Sequence, residues 1–97
     1  MTVSTHVLDA ALGRPVPGLG IRLEHDGAVT QAQTDADGRV ASLPTPGNGV
    51  YRLVFDLGDR AGFYPEVVIA FRVTDPAAHY HVPLLLSPFA YSTYRGS

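Results

Sequence analysis

The chain has 97 residues, 45% hydrophobic and 16% charged, with a formal net charge of −2; that is the length of one domain, expected to span residues 1–97. It has no cysteine and its seven basic residues are all arginine, which excludes a disulfide framework, a cysteine nucleophile, Schiff-base chemistry and a P-loop lysine. The near-neutral balance argues against a nucleic-acid binder; no apolar run approaches the roughly 20 residues of a membrane span and no basic-then-apolar leader opens the chain, so a soluble cytoplasmic protein is expected.

Ten glycines and eight prolines cut the chain into short segments, as in an all-β domain. Val3–Ala10 reads as a strand, with Val3, Thr5 and Val7 opposing Ser4, His6 and Leu8. Gly13-Arg14-Pro15 breaks it. Two strands near Leu19–His25 and Ala28–Thr34 are joined by an Asp26-Gly27 hairpin turn. Asp35-Ala36-Asp37-Gly38 is a second tight turn. Val50–Leu57 alternates, with Tyr51, Leu53, Phe55 and Leu57 on one face and Arg52 and Asp56 on the other. Leu57–Gly62 has room for one short helical turn, on too few residues to define it. Glu66–Val73 has the clearest period of two, with Val67, Ile69, Phe71 and Val73 on the core face. His79–Leu86 places Tyr80, Val82, Leu84 and Leu86 on one face and His79, His81, Pro83 and Leu85 on the other. Phe89–Tyr94 makes a last strand. Seven or eight such strands with turns between them predict a Greek-key β-sandwich.

Five positions can carry chemistry. His6 lies mid-strand in an uncharged stretch; a half-buried, satisfied histidine is the commoner role there, and a general acid or base is the sharper one. His79 and His81 are two apart and share a face; they can chelate zinc only with a third ligand, so a wet polar face is preferred over a metal site. Arg39 follows the second turn, either solvated or offering its planar fork to a carboxylate, a ureide or a developing oxyanion. Ser97, at the end of the sequence, is held in place only if the Tyr91–Tyr94 strand pairs. Asp9, Asp35 and Asp37 read as turn or cap groups. No nucleophile elbow, phosphate loop or paired-carboxylate motif occurs. Periodicity alone does not bring His6, Arg39 and His81 together.

Three stretches resemble the transthyretin-like family and, within it, the 5-hydroxyisourate hydrolase branch. They are Thr5-His6-Val7-Leu8-Asp9 with Gly13-Arg14-Pro15; Thr34-Asp35-Ala36-Asp37-Gly38-Arg39; and Tyr80-His81-Val82-Pro83-Leu84-Leu85-Leu86-Ser87-Pro88-Phe89 running into Tyr91-Ser92-Thr93-Tyr94-Arg95-Gly96-Ser97. Phe63-Tyr64-Pro65-Glu66 fits as well. The branch rests on His6, Arg39, His81 and the Tyr94-to-Ser97 ending. The hormone-carrying transthyretins have lysine, glutamate and threonine at the first three positions and lack that ending. Ala90 departs from the family's usual glycine or serine, which matters only if a positive φ is needed there.

The resemblance implies a homotetramer, a dimer of dimers, with sites at the dimer–dimer interface and no metal or organic cofactor. The implied substrate is 5-hydroxyisourate, whose ring is opened to 2-oxo-4-hydroxy-4-carboxy-5-ureidoimidazoline in urate breakdown. His6 or His81 would take the proton of the attacking water, with the other positioning that water or protonating the departing nitrogen. Arg39 would hold the oxyanion. Tyr94 would shape the pocket, Arg95 would contact substrate or brace the terminus, and Ser97 would orient water. The alternative is a non-catalytic carrier of small ligands. Further rivals, an adhesive surface module and a zinc hydrolase built on His79 and His81, lack a crosslinking lysine and a third ligand respectively.

Overall fold

A computed structural model describes residues 2–60 and 62–97 as ten short strands with no helix among them. The strands are β1 (Thr2–Asp9), β2 (Arg14–Pro15), β3 (Gly20–His25), β4 (Ala28–Gln33), β5 (Arg39–Pro44), β6 (Gly49–Asp56), β7 (Glu66–Val73), β8 (His79–His81), β9 (Leu84–Leu86) and β10 (Tyr91–Thr93). They form a four-stranded sheet in the order β4-β3-β6-β7. The six-stranded sheet runs β10-β9-β1-β2, with β5 and β8 also paired to β1. Non-consecutive neighbours in both sheets give the Greek-key connectivity expected of the sandwich.

Period-two patterning determines which side chains meet between the sheets. Val3, Thr5 and Val7 of β1, Tyr51, Leu53 and Phe55 of β6, and Val67, Ile69 and Val73 of β7 are all buried. Leu19, Leu57, Tyr80, Val82, Leu84 and Leu86 complete much of the same core. Full burial of a side chain such as Leu53 or Phe55 stabilises the fold by about 1.5–3 kcal/mol. The Tyr80 hydroxyl accepts the backbone N–H groups of Thr74 (3.2 Å) and Asp75 (3.1 Å), anchoring the approach to β8.

Turn chemistry agrees with the sequence at both tight turns. Asp26 (φ 49°) and Gly27 (φ 79°) are both left-handed, as a two-residue hairpin between right-twisted strands requires. Asp35 Oδ1 accepts the N–H of Asp37 at 2.9 Å and of Arg39 at 3.0 Å, so this carboxylate shapes the turn that delivers Arg39. Those hydrogen bonds, that from Arg39 foremost, hold the Asp35 pKa below 3.8. Asp9 does the same for the N–H groups of Ala11 and Leu12. Ala90 closes the β9–β10 turn by accepting the Ser87 N–H at 2.9 Å. Asp26 is the one non-glycine with positive φ among the described residues, so alanine at 90 is not strained by its φ.

Two expectations are corrected, one strand is added, and the seven or eight strands expected become ten among the described residues. The 57–62 segment makes no helix in its described residues; the Arg60 N–H closes a turn on the Leu57 carbonyl at 2.9 Å. The His79–Leu86 strand is two strands, interrupted at Val82-Pro83, because proline has no N–H to offer the ladder. The segment following Gly38 forms β5, a strand the alternation does not reveal.

Candidate active site

The outer face of the six-stranded sheet gathers residues from both ends of the sequence. β1 runs through the sheet, antiparallel to β5 and parallel to β8 and β9. The register sets His6 beside Arg39, Thr2 beside His79 and Ser4 beside His81. Val3, Thr5 and Val7 point inward, so Ser4 and His6 point outward on the side that also carries Arg39, His79 and His81.

Ser4, Arg39, Ala41, His79, His81 and Ser97 line an open cavity of about 320 Å³ on this face. That is the small end of the range for small-molecule sites. The Arg39 guanidinium makes no ion pair or hydrogen bond among the described residues, and its N–H donors are open to a ligand. His6 donates its Nε2–H to the Asp37 carbonyl at 2.9 Å, since a carbonyl can only accept. In the neutral ring that bond fixes the tautomer and leaves Nδ1 bare.

His81 is perturbed by its setting. Burial first, then the positive charge of Arg39 and the charge that His6 and His79 carry when protonated, hold its pKa below the ordinary 6.5. It therefore stays neutral, and able to take a proton, at lower pH than a free imidazole. Its Nδ1 is bonded to Ser4 Oγ at 2.7 Å, and its Nε2 has no partner among the described residues.

The final segment folds back along β8. β10 pairs with β9, and Thr93 Oγ1 donates to the Pro83 carbonyl at 2.7 Å. Gly96 forms an isolated bridge with His81, its N–H donating to the His81 carbonyl at 2.8 Å. That bridge carries Ser97 into the cavity. Tyr94 and Arg95 lie elsewhere: with Ile69, Phe71, Tyr80 and Val82 they line a second cavity of about 310 Å³ between β7 and β10. The Arg95 guanidinium sits 4.8 Å from the centre of the Tyr80 ring, a cation–π contact. Of the residues singled out in the sequence, Arg39, His81 and Ser97 share the first cavity, His6 is beside Arg39, and Tyr94 and Arg95 stand apart. Ser4 was missed, although its place two residues before His6 already set it on the same face. Among the described residues no three histidine, cysteine or acidic side chains cluster as a metal site.

Fold and cavity together define a small β-sandwich with an open site lined by arginine and histidine. The sequence matches the HIUase/Transthyretin family over residues 3–96, and the chain belongs to that family. It is 46% identical over 114 aligned positions to 5-hydroxyisourate hydrolase 2 of Rhizobium meliloti, covering 98% of this chain and 95% of the relative. The solved 5-hydroxyisourate hydrolase of Klebsiella pneumoniae superposes with a TM-score of 0.87 at 34% identity over 100% of both chains. Sea bream transthyretin in complex with thyroxine superposes at 0.80 with 31% identity, over 97% of this chain and 93% of that one.

Proposed function

We infer that this chain, as one domain of residues 1–97, is a cytoplasmic hydrolase that opens the ring of 5-hydroxyisourate. The observation that carries the reading is the cavity on the outer sheet face, where Arg39, His81 and Ser97 meet beside His6. The hydrolase relatives supply the substrate class. The electrostatics supply a base that is neutral near pH 7, set beside an unpaired guanidinium.

In this reading, water attacks a ring carbonyl carbon while its proton passes to His81 Nε2. Arg39 binds the carbonyl oxygen and stabilises the charge that develops there. His6, with its Nε2–H committed to Asp37, offers Nδ1 as an acceptor that orients the water. Collapse breaks the ring C–N bond, and the proton goes from His81 to the departing nitrogen. Ser97 contributes a further polar group at the cavity wall. Tyr94 and Arg95 act from the neighbouring cavity, where Arg95 braces the returning segment over Tyr80. None of these steps calls on a metal or organic cofactor.

The cavity is open on one side, and Leu12, Phe63 and Phe89 are large and exposed. Both features support a homotetramer in which a second copy closes the site. The thyroxine-bound likeness keeps a carrier in view; Arg39, His6 and His81 make this face of the sheet polar, which favours catalysis over that role.

The test is the ultraviolet decay of freshly generated 5-hydroxyisourate with and without the protein. Wild type is expected to accelerate decay and His6→Ala to lose about a hundredfold of that acceleration. Decay at the spontaneous rate with a folded wild-type protein would overturn the reading, and measured thyroxine binding would then favour the carrier.

A further inference from the structure

Behind His81 runs a hydrogen-bonded row of side chains that the mechanism above does not use. Ser4 Oγ lies 2.7 Å from His81 Nδ1 and 2.9 Å from His79 Nε2. His79 Nδ1 in turn lies 2.6 Å from Thr2 Oγ1. The parallel register of β1 and β8 builds this row, setting Thr2 across from His79 and Ser4 across from His81.

A serine hydroxyl has one hydrogen, so it cannot donate to both rings at once. With neutral rings the row has two self-consistent arrangements. In one, His81 Nδ1–H donates to Ser4, Ser4 donates to His79 Nε2, and His79 Nδ1–H donates to Thr2; His81 Nε2 is then bare. In the other every donor is reversed and His81 carries its hydrogen on Nε2. A base that works through Nε2 needs the first arrangement.

We propose that Ser4 and His79 form a proton relay behind His81, which parks the proton of the attacking water on His79 at the exposed strand edge. This rests on the reading of the cavity as a hydrolytic site. As the water oxygen bonds to the ring carbonyl carbon, its proton passes to His81 Nε2. The His81 Nδ1 proton passes to Ser4 Oγ, and the Ser4 proton passes to His79 Nε2. When the C–N bond breaks, the transfers run in reverse and the Nε2 proton leaves with the departing nitrogen. Every proton is accounted for, and Ser4 and His79 are unchanged at the end.

The benefit is electrostatic. An imidazolium at His81 would be partly desolvated and would face Arg39 on β5 and His6 on β1. In the single chain His79 is exposed where His81 is half-buried, so a charge on His79 is the less desolvated of the two. Ser4 and His79 are positioning residues in this scheme, since both act through His81.

The test compares kcat and KM of wild type, Ser4→Ala, Ser4→Thr, His79→Gln and the Ser4→Ala/His79→Gln double variant. The relay predicts about a ten- to hundredfold loss of kcat in Ser4→Ala and in His79→Gln, with KM within about twofold. The double variant should be no slower than the slower single one, because the two groups act as a unit. Ser4→Thr keeps the hydroxyl and should restore kcat to within about threefold. His79 is exposed, so His79→Gln keeps the test open even where Ser4→Ala fails to assemble. Wild-type kcat in His79→Gln, or additive losses in the double variant, would overturn the relay and leave the hydrolase reading standing. An inactive wild type would overturn both.

Discussion

At Gly96 an added β-carbon would collide with Cδ2 of His81 and stand 3.0 Å from Cγ. Both atoms belong to a ring held from its other edge by Ser4, so the ring cannot give way without losing that bond. Gly96→Ala is therefore expected to lower kcat/KM by at least tenfold while leaving the thermal midpoint within a few degrees, read by the isourate assay beside calorimetry. His81 itself should titrate below 6.5, so the acid limb of kcat/KM should fall below that pH. Removing a positive neighbour makes a second positive charge easier to hold. Arg39→Gln should thus move the His81 midpoint upward, still below 6.5 because burial is the larger cause; imidazole resonances against pH measure it. The histidines were visible as polar residues on apolar strands. Their tautomers were not, because those follow from Asp37, Ser4 and His79, which periodicity does not relate to them.

Strands with an unbroken alternation were legible. β1, β3, β6 and β7 lie within one residue of the expected spans, because one face of each is buried; β4, whose residues are exposed or half-buried, was legible from the Asp26-Gly27 turn before it. β5 was not, for a physical reason. Val3 pairs with Leu43 while Thr5 pairs with Val40, so β5 carries an extra residue between its buried positions and the period of two is lost. β2 is only two residues long and leaves no pattern. The turn before β5 is equally constrained. Gly38 has φ 74°, and a β-carbon there would lie 2.5 Å from the Val7 carbonyl oxygen and 3.0 Å from Val16 N. Backbone on both sides cannot yield. Gly38→Ala should cost more than about 1 kcal/mol and also displace Arg39, lowering the unfolding midpoint and kcat/KM together in denaturant and rate measurements.

For the whole molecule the main question is association. Phe63 packs edge-on against Tyr64 at 5.0 Å between ring centres, and Tyr64 against Tyr91 at 5.2 Å. The Phe63 N–H donates to the Pro88 carbonyl at 3.0 Å, which ties this aromatic group to the loop bearing Phe89, itself 78% exposed. A protein surface seldom leaves so many large apolar groups together without a use. Light scattering of the wild type is expected to give four times the 10.4 kDa chain mass. If the proposed second copy docks on this aromatic surface and covers the cavity, Phe89→Ser should shift that mass downward and lower activity in step; an unchanged tetramer would place the interface elsewhere.

The central position of β1 has a consequence for how the molecule comes into being. The Ser4–His81 bond joins groups 77 positions apart, and the strand carrying Ser4 pairs with β8 and β9 near the other end. On a ribosome, β1 must wait for β8 and β9 before its ladder is complete. Long-range pairing of this kind slows folding relative to local topologies. Catalysis should therefore switch on late in refolding, after the β3–β4 hairpin and the β6–β7 pair have already formed, and an unpaired β1 is the segment that a nascent chain most needs to keep from neighbouring copies.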